Sequence, residues 1–179
     1  MLDVQGENVL LLSRYCLDAG PYNTNRTDTT WEECTLRGWL NTGFYKTAFK
    51  EEEQSAILKT PIENGTDPRI NEENVTGGNN TDDMIFLLSY DEANKYFISN
   101  DARRCEATDY AISKGVATTK GTKTANWWLR SPGKKQNKAA FVSPSGECRG
   151  ETKGSGIDNE VNYAHLGVRP AVWLNLEAL

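Results

Sequence analysis

Asn126-Trp127-Trp128-Leu129-Arg130-Ser131-Pro132-Gly133 and Gly167-Val168-Arg169-Pro170-Ala171-Val172-Trp173-Leu174-Asn175-Leu176 are the two runs whose reading decides the fold. Both are short, apolar and bounded by glycine or proline, and the sequence between them is polar and Gly-rich. Trp128, Leu129, Val168, Val172 and Leu174 suit buried strand positions. Arg130 lies close to Pro132 and Arg169 adjoins Pro170, where a chain leaves regular pairing because proline lacks the N–H that a ladder needs. The two runs read as strands holding a polar loop region between them. Trp128 and Trp173 read as core, while Trp127 is open to either a core or a sugar-stacking role.

Working outward, Asn8–Ser13 is an apolar run preceded by a turn-like Gln5-Gly6-Glu7, which predicts an N-terminal hairpin. Thr30-Trp31-Glu32-Glu33 has the form of a capping box, with a helical stripe of Trp31, Cys34, Leu36, Trp39 and Leu40 after it. Asn41-Thr42-Gly43 reads as its stop. Lys50–Leu58 predicts a second, short helix whose acidic first turn suits the helix dipole. Met84–Leu88 reads as a buried strand. Ser89-Tyr90-Asp91-Glu92 is another capping box, opening a helix through Tyr96 and Phe97. Ala102–Lys114 predicts helix broken near Glu106–Thr108, with Gly115 as C-cap. Lys138–Val142 predicts a strand and Ser143–Gly146 a turn, after which the chain returns as a strand. Thr118–Ala125 reads as loop.

With 179 residues the chain predicts one domain spanning 1–179. A hydrophobic fraction of 37% is low, yet five Trp, seven Tyr and five Phe can fill a core. The net charge of −5 argues against binding nucleic-acid backbone or anionic lipid. No run is long enough to span a membrane or resembles a signal peptide. Met1-Leu2 leads at once into strand-like sequence, as in a piece trimmed from a longer protein.

Candidate chemistry is sparse. Cys16, Cys34, Cys105 and Cys148 form no CxxC pair, so zinc is not expected, and buried idle thiols are the simpler reading than disulfides. Thr60–Asp83 is rich in Asn, Gly, Thr and acids, with a short strand expected near Arg69–Val75. Its acids lack the Asp-x-Asp-x-Asp-Gly spacing of a calcium loop, so it reads as a solvated surface loop. His165 has no nucleophile motif near it, and Glu147 with Glu151 has no distinctive glycosidase geometry. The sequons at Asn25, Asn64, Asn74 and Asn79 read as by-products of Asn/Thr-rich loops.

The order Thr30-Trp31-Glu32-Glu33-Cys34-Thr35-Leu36-Arg37-Gly38-Trp39-Leu40-Asn41, Phe86-Leu87-Leu88-Ser89, Thr108-Asp109-Tyr110-Ala111, Trp128-Leu129-Arg130-Ser131-Pro132-Gly133 and Gly167-Val168-Arg169-Pro170-Ala171 resembles a bacterial domain family of unknown function. That family is common in secreted, surface and prophage-linked proteins. The resemblance covers nearly the whole chain. It implies an α+β domain of the C-type-lectin-like fold, with small antiparallel sheets flanked by two main helices and long loops. The N- and C-terminal strands would share one sheet, placing Val9–Ser13 beside Val168–Leu176. Neighbours in that fold are formylglycine-generating-enzyme-like domains and the variable proteins of diversity-generating retroelements. Glu-Pro-Asn, Gln-Pro-Asp and Trp-Asn-Asp are absent, so calcium-dependent sugar binding does not carry over. Cys148 has no nearby partner in sequence, though Cys105 could meet it in space, so copper-oxidase chemistry does not carry over either.

The expectation is therefore a non-catalytic binding or display module with no cofactor and no metal, whose partner is a protein or a glycan. Nucleic acid and membrane insertion are not expected. The resemblance implies a cell-surface or extracellular setting, with a cytoplasmic one left open. The expected ligand face is the polar set Lys134, Gln136, Asn137, Ser145, Glu147, Arg149, Asp158, Asn159, Asn162, Tyr163 and His165. Trp127 and the Thr118–Asn126 loop would join it. If the chain is diversified like retroelement-linked proteins, the changes would fall on these polar side chains and spare Trp128, Arg130, Arg169 and Trp173. An oxidase of the formylglycine-generating kind and a structural spacer are the alternatives.

Overall fold

The structure is a computed structural model that describes residues 1–66, 74–149 and 160–178. The N-terminal hairpin forms as expected: β1 (Asp3–Gln5) pairs with β2 (Asn8–Leu12) around Gly6, whose φ is +60°. Residues 16–22 then supply the two-residue strand β3 (Asp18–Ala19).

The next segment departs from its sequence reading. Helix α1 (Thr35–Trp39) is capped by Cys34, whose Sγ accepts from Arg37 N at 3.4 Å, and not by Thr30. The Thr30 hydroxyl is buried without a partner among the described residues. The reason lies in the side chains that follow it. The Trp31 indole donates to Asp83 at 2.8 Å, and Glu32 accepts from Asn79 at 3.0 Å, so this turn is pinned before a helix can start. Nor does the helix stop at Asn41-Thr42-Gly43. It continues through a π-helical turn (Leu40–Phe44) into α2 (Tyr45–Ala48). Asn41 is used elsewhere: its Oδ1 accepts from Met84 N at 2.7 Å and Ile85 N at 3.1 Å, and its Nδ2 donates to Ile85 O at 2.9 Å.

That clamp explains a second departure. Ile85–Leu88 are buried as expected, but Met84–Leu88 is not a strand. Asn41 takes the main-chain groups at one end, and only Phe86 reaches a sheet, exchanging hydrogen bonds with Ala171 at 3.0 and 2.7 Å.

Helix α3 (Glu51–Ala56) matches the expected second helix, with Glu53 accepting from Lys50 N at 2.8 Å. The acidic loop is bounded by β4 (Thr60–Ile62) and β5 (Thr81–Asp83), which pair with each other. The strand expected at Arg69–Val75 falls largely outside the described residues. The Ser89 capping box forms as read, at 3.0 and 2.8 Å, and opens α4 (Tyr90–Tyr96). The expected helix over Ala102–Lys114 is broken more deeply than expected. It comprises α5 (Asn100–Arg103), then β6 (Cys105–Glu106), then α6 (Asp109–Ser113) capped by Thr108. Gly115, at φ +95°, ends α6. The next strand, β7 (Thr124–Ala125), pairs with β6. In place of two main helices, the described residues carry short helical segments.

Strand β8 (Trp127–Pro132) is buried along its whole length and pairs with β9 (Ala139–Val142), which pairs in turn with β10 (Cys148–Arg149). The last apolar run divides. Its first part, β11 (Gly167–Val168), lies parallel to β8 and antiparallel to β3. Its second part, β12 (Ala171–Asn175), pairs antiparallel with β2 from Ala171↔Leu12 to Asn175↔Asn8. The chain ends thus share the sheet β1-β2-β12, while Val168 belongs to the sheet β10-β9-β8-β11-β3. The switch falls at Arg169-Pro170. Pro170 has no N–H to give, and its carbonyl accepts from Ser13 N at 3.0 Å. Trp173, expected in the core, is half-buried on β12.

The Asn41 clamp generates a stability prediction. Replacing Asn41 with Ala leaves two part-buried N–H groups and a carbonyl unserved, and each such loss costs ~1–3 kcal/mol. Urea unfolding of Asn41→Ala should show a loss of at least about 2 kcal/mol. A change within experimental error would mean that Met84 and Ile85 find other partners.

Candidate functional site

A cleft of about 730 Å³ opens where the edge strand β3 meets α1, the π-helical turn and α6. Its floor is the chain from Leu17 to Pro21. The π turn shapes one wall. In an α-helix, residues five apart point away from each other, whereas i→i+5 bonding brings them together. Trp39 and Phe44 accordingly lie with ring centroids 5.2 Å apart. Gly43 packs on the Trp39 ring, where an added Cβ would sit 3.3 Å from Cδ1.

The facing wall is α6. Tyr110 is 55% exposed, and Lys114, one turn later, holds its ammonium 5.4 Å from the Tyr110 ring centroid. This is a cation–π pair. Asp18, Thr24, Thr35 and Thr47 add polar groups to a lining that is otherwise apolar. Trp39 was legible only as core, and Tyr110 only as part of the Thr108–Ala111 run that the family resemblance uses. The Tyr110-x-x-x-Lys114 spacing was the available signal, since residues four apart share a helix face.

The described members of the expected ligand set are spread over several turns. Gln136 is a clamp: its Oε1 accepts from Thr76 N at 2.8 Å, and its Nε2 donates to Thr29 O at 2.7 Å and Thr76 O at 3.0 Å. Asn137 O accepts from Val161 N at 3.0 Å, and Asn137 Oδ1 is buried without a partner among the described residues. Half-buried Lys134 lies in the same turn. Ser145, Glu147 and Arg149 sit at the other end of β9. There the Ser145 and Ser143 hydroxyls are 2.8 Å apart, and Glu147 ion-pairs with Arg149. Asn162 and His165 are exposed, and the Tyr163 and His165 rings meet edge-on at 5.2 Å. His165 Nδ1 is 2.7 Å from Gly115 O, one residue beyond Lys114, which brings this part of the set toward the cleft. Asp158 and Asn159 lie outside the described residues.

Trp127 is not a surface residue. It is fully buried, its indole donates to Arg103 O at 3.2 Å, and the Arg169 guanidinium lies 4.9 Å from its ring centroid. Strand β8 is covered on both faces, so alternation gives no sign of this. The Thr118–Asn126 loop is likewise closed at its end, since Thr124, Ala125 and Asn126 are buried behind β6.

None of the four cysteines is in a disulfide. Cys105 faces Cys16, not Cys148, with the two sulfurs 3.5 Å apart. The hydrogen bond from Cys16 holds the Cys105 thiol below its ordinary pKa, against the effect of burial, and Arg169 adds to the lowering. The same bond, together with burial, raises Cys16. Burial pushes the Cys34 thiol up to about 12. Among the described residues no three His, Cys, Asp or Glu side chains gather as a metal ion would require. No helix there is long and apolar enough to cross a membrane.

Fold and site together define a mixed α+β protein of small sheets and short helices, with an amphipathic cleft at one sheet edge. The chain belongs to a family of domains of unknown function, DUF6273, whose family model matches residues 6–176. No curated protein and no solved structure matches it.

The β9–β10 turn gives a second stability prediction. Gly146 has φ +83°, and a Cβ there would land on Asn100 O, while Gly146 O accepts from Arg103 Nε at 2.8 Å. Both the backbone conformation and the contact exclude a side chain. Gly146→Ala should destabilise by about 2 kcal/mol or more in chemical denaturation. A neutral result would mean that the turn and α5 part without cost.

Proposed function

We propose that this chain is a non-catalytic binding module and that its ligand is a glycan held in the cleft beside Trp39. One observation carries the reading: the cleft sets aromatic rings and hydrogen-bonding side chains around one concave space. A sugar ring has an apolar C–H face and a polar edge. Trp39, Phe44 and Tyr110 offer surface for the first. Asp18, Lys114 and the threonine hydroxyls offer partners for the second. A volume of about 730 Å³ falls in the range of small-ligand sites, roughly 300–1,000 Å³. The pairing of β2 with β12, which closes the chain ends into one sheet, supports a C-type-lectin-like arrangement. A cell-surface, secreted or phage-linked setting accords with a glycan ligand.

The test is a glycan array probed with wild type and two variants, each checked for folding by circular dichroism. Tyr110→Ala with Lys114→Ala alters exposed cleft residues only. The second variant changes Gln136, Asn137, Asn159, Asn162 and Tyr163 to Ala. Wild type should bind a defined glycan class. The cleft variant should lose about tenfold in affinity or more, since each 1.4 kcal/mol of lost contact is tenfold. Wild type binding no glycan would sink the reading. Loss in the second variant alone would move the site to the polar segment.

A further inference from the structure

The geometry points to Cys16 and Cys105 as a site of oxidative modification, in which hydrogen peroxide converts the two thiols into a disulfide at the root of the cleft. The sulfurs are already 3.5 Å apart. A disulfide bond is about 2.05 Å long, so each sulfur moves by roughly 0.7 Å. The main chain is already in place. Cys16 N donates to Glu106 O at 2.9 Å, Thr108 N donates to Cys16 O at 3.1 Å, and Cys105 pairs with Ala125 in the β6–β7 ribbon. The two cysteines are 89 residues apart in sequence, yet closing the bond asks for no change of fold.

The surroundings favour reaction over inertness. Thiolate is the reactive form of cysteine. The Cys105 pKa is lowered by the Cys16 hydrogen bond and by the cationic Arg169. Arg169 is held by Ser13 O at 3.0 Å and by the Trp127 and Phe97 rings at 4.9 and 5.4 Å. Both sulfurs are buried, which restricts the oxidant to a small one admitted by local opening.

In the reaction, Cys105 thiolate attacks one oxygen of hydrogen peroxide. The O–O bond breaks, and hydroxide leaves and takes up a proton to form water. The sulfur is now a sulfenic acid. Cys16 sulfur then attacks Cys105 Sγ and loses its proton. The S–O bond breaks, and the departing hydroxide takes that proton as a second water. In sum, two thiols lose two electrons and two protons, and one peroxide becomes two waters.

The consequence for the cleft follows from chain order. Cys16 runs directly into the floor at Leu17–Pro21, and Cys105 leads through Thr108 into α6 with Tyr110 and Lys114. The crosslink therefore ties floor to wall at their common root, whatever the cleft binds.

Wild-type protein would be treated with hydrogen peroxide, then denatured, alkylated and mapped by mass spectrometry after proteolysis. The expected result is a Cys16–Cys105 crosslinked peptide that dithiothreitol removes, with Cys34 and Cys148 still alkylated. Closing so long a loop should also raise the melting temperature by about 10 °C, reversibly with dithiothreitol. The proposal is overturned by four alkylated cysteines, by a different pairing, or by sulfinic acid at Cys105 without a crosslink. Cys16→Ser with Cys105→Ser should show no peroxide-dependent change in melting. If that variant does not fold, the wild-type peptide map decides alone.

Discussion

A guanidinium carried into the interior at the point where the chain changes sheets is the constraint on which the rest depends. Arg169 sits between β11 and β12, and Pro170 beside it ends one ladder and permits the other. Burial lowers the Arg169 pKa, the direction expected when a cation is withdrawn from water. No carboxylate answers the charge among the described residues. Carbonyls of Ser13 and Arg103, two aromatic faces and two sulfurs surround it instead. They come from the chain after β2, the end of α4, the α5–β6 segment and β8, so the cation gathers these around one point. Removing it would take a donor from both carbonyls.

Elsewhere the same logic recurs with neutral and charged side chains standing in for regular ladders. Asn41 serves Met84 and Ile85, and Gln136 serves Thr29 and Thr76. Asp83 is fully buried and accepts from Trp31, Arg37 and Thr81. Arg130 pairs with Glu92, the same carboxylate that caps α4, and donates to Leu87 O and Glu63 O. Buried backbone groups must find partners. Where helices and strands are this short, side chains supply many of those partners. Such contacts are directional and specific, which lets long irregular segments adopt fixed paths over a small core.

This also explains what the sequence could reveal. The Ser89 capping box, the Ser143–Gly146 turn, the Gly6 hairpin and the Gly115 helix end were legible because each depends on residues within a few positions. The end-to-end pairing of Asn8–Leu12 with Ala171–Asn175 followed from two apolar runs and a resemblance. The sheet switch at Pro170 was hidden because one continuous apolar run feeds two sheets. Trp127 was ambiguous because a strand buried on both faces carries no period-two signal. Asn41 read as a helix stop because the main-chain groups its side chain serves, at Met84 and Ile85, lie 43 and 44 residues away. The cleft and the thiol pair were illegible for the same reason, since both join segments that only the folded topology brings together.

The edge of the five-stranded sheet bears on what the cleft can hold. An exposed edge strand is a template for adding a peptide strand, since it offers a row of free N–H and C=O groups. Strand β3 offers almost none. It is two residues long, Leu17 N and Gly20 N turn inward to Val168 O and Leu166 O, and Ala19 N is taken at 2.7 Å by the carboxylate of Asp18. An extended peptide laid along β3 would leave most of its own backbone unpaired. A compact ligand that reads side chains, not a ladder, meets no such cost. Asp18 and Lys114 line the cleft, as do Trp39 and Phe44, whose ring centroids are 5.2 Å apart. At β3, then, the two-residue length and the inward-turned amides of Leu17 and Gly20 count against an added strand.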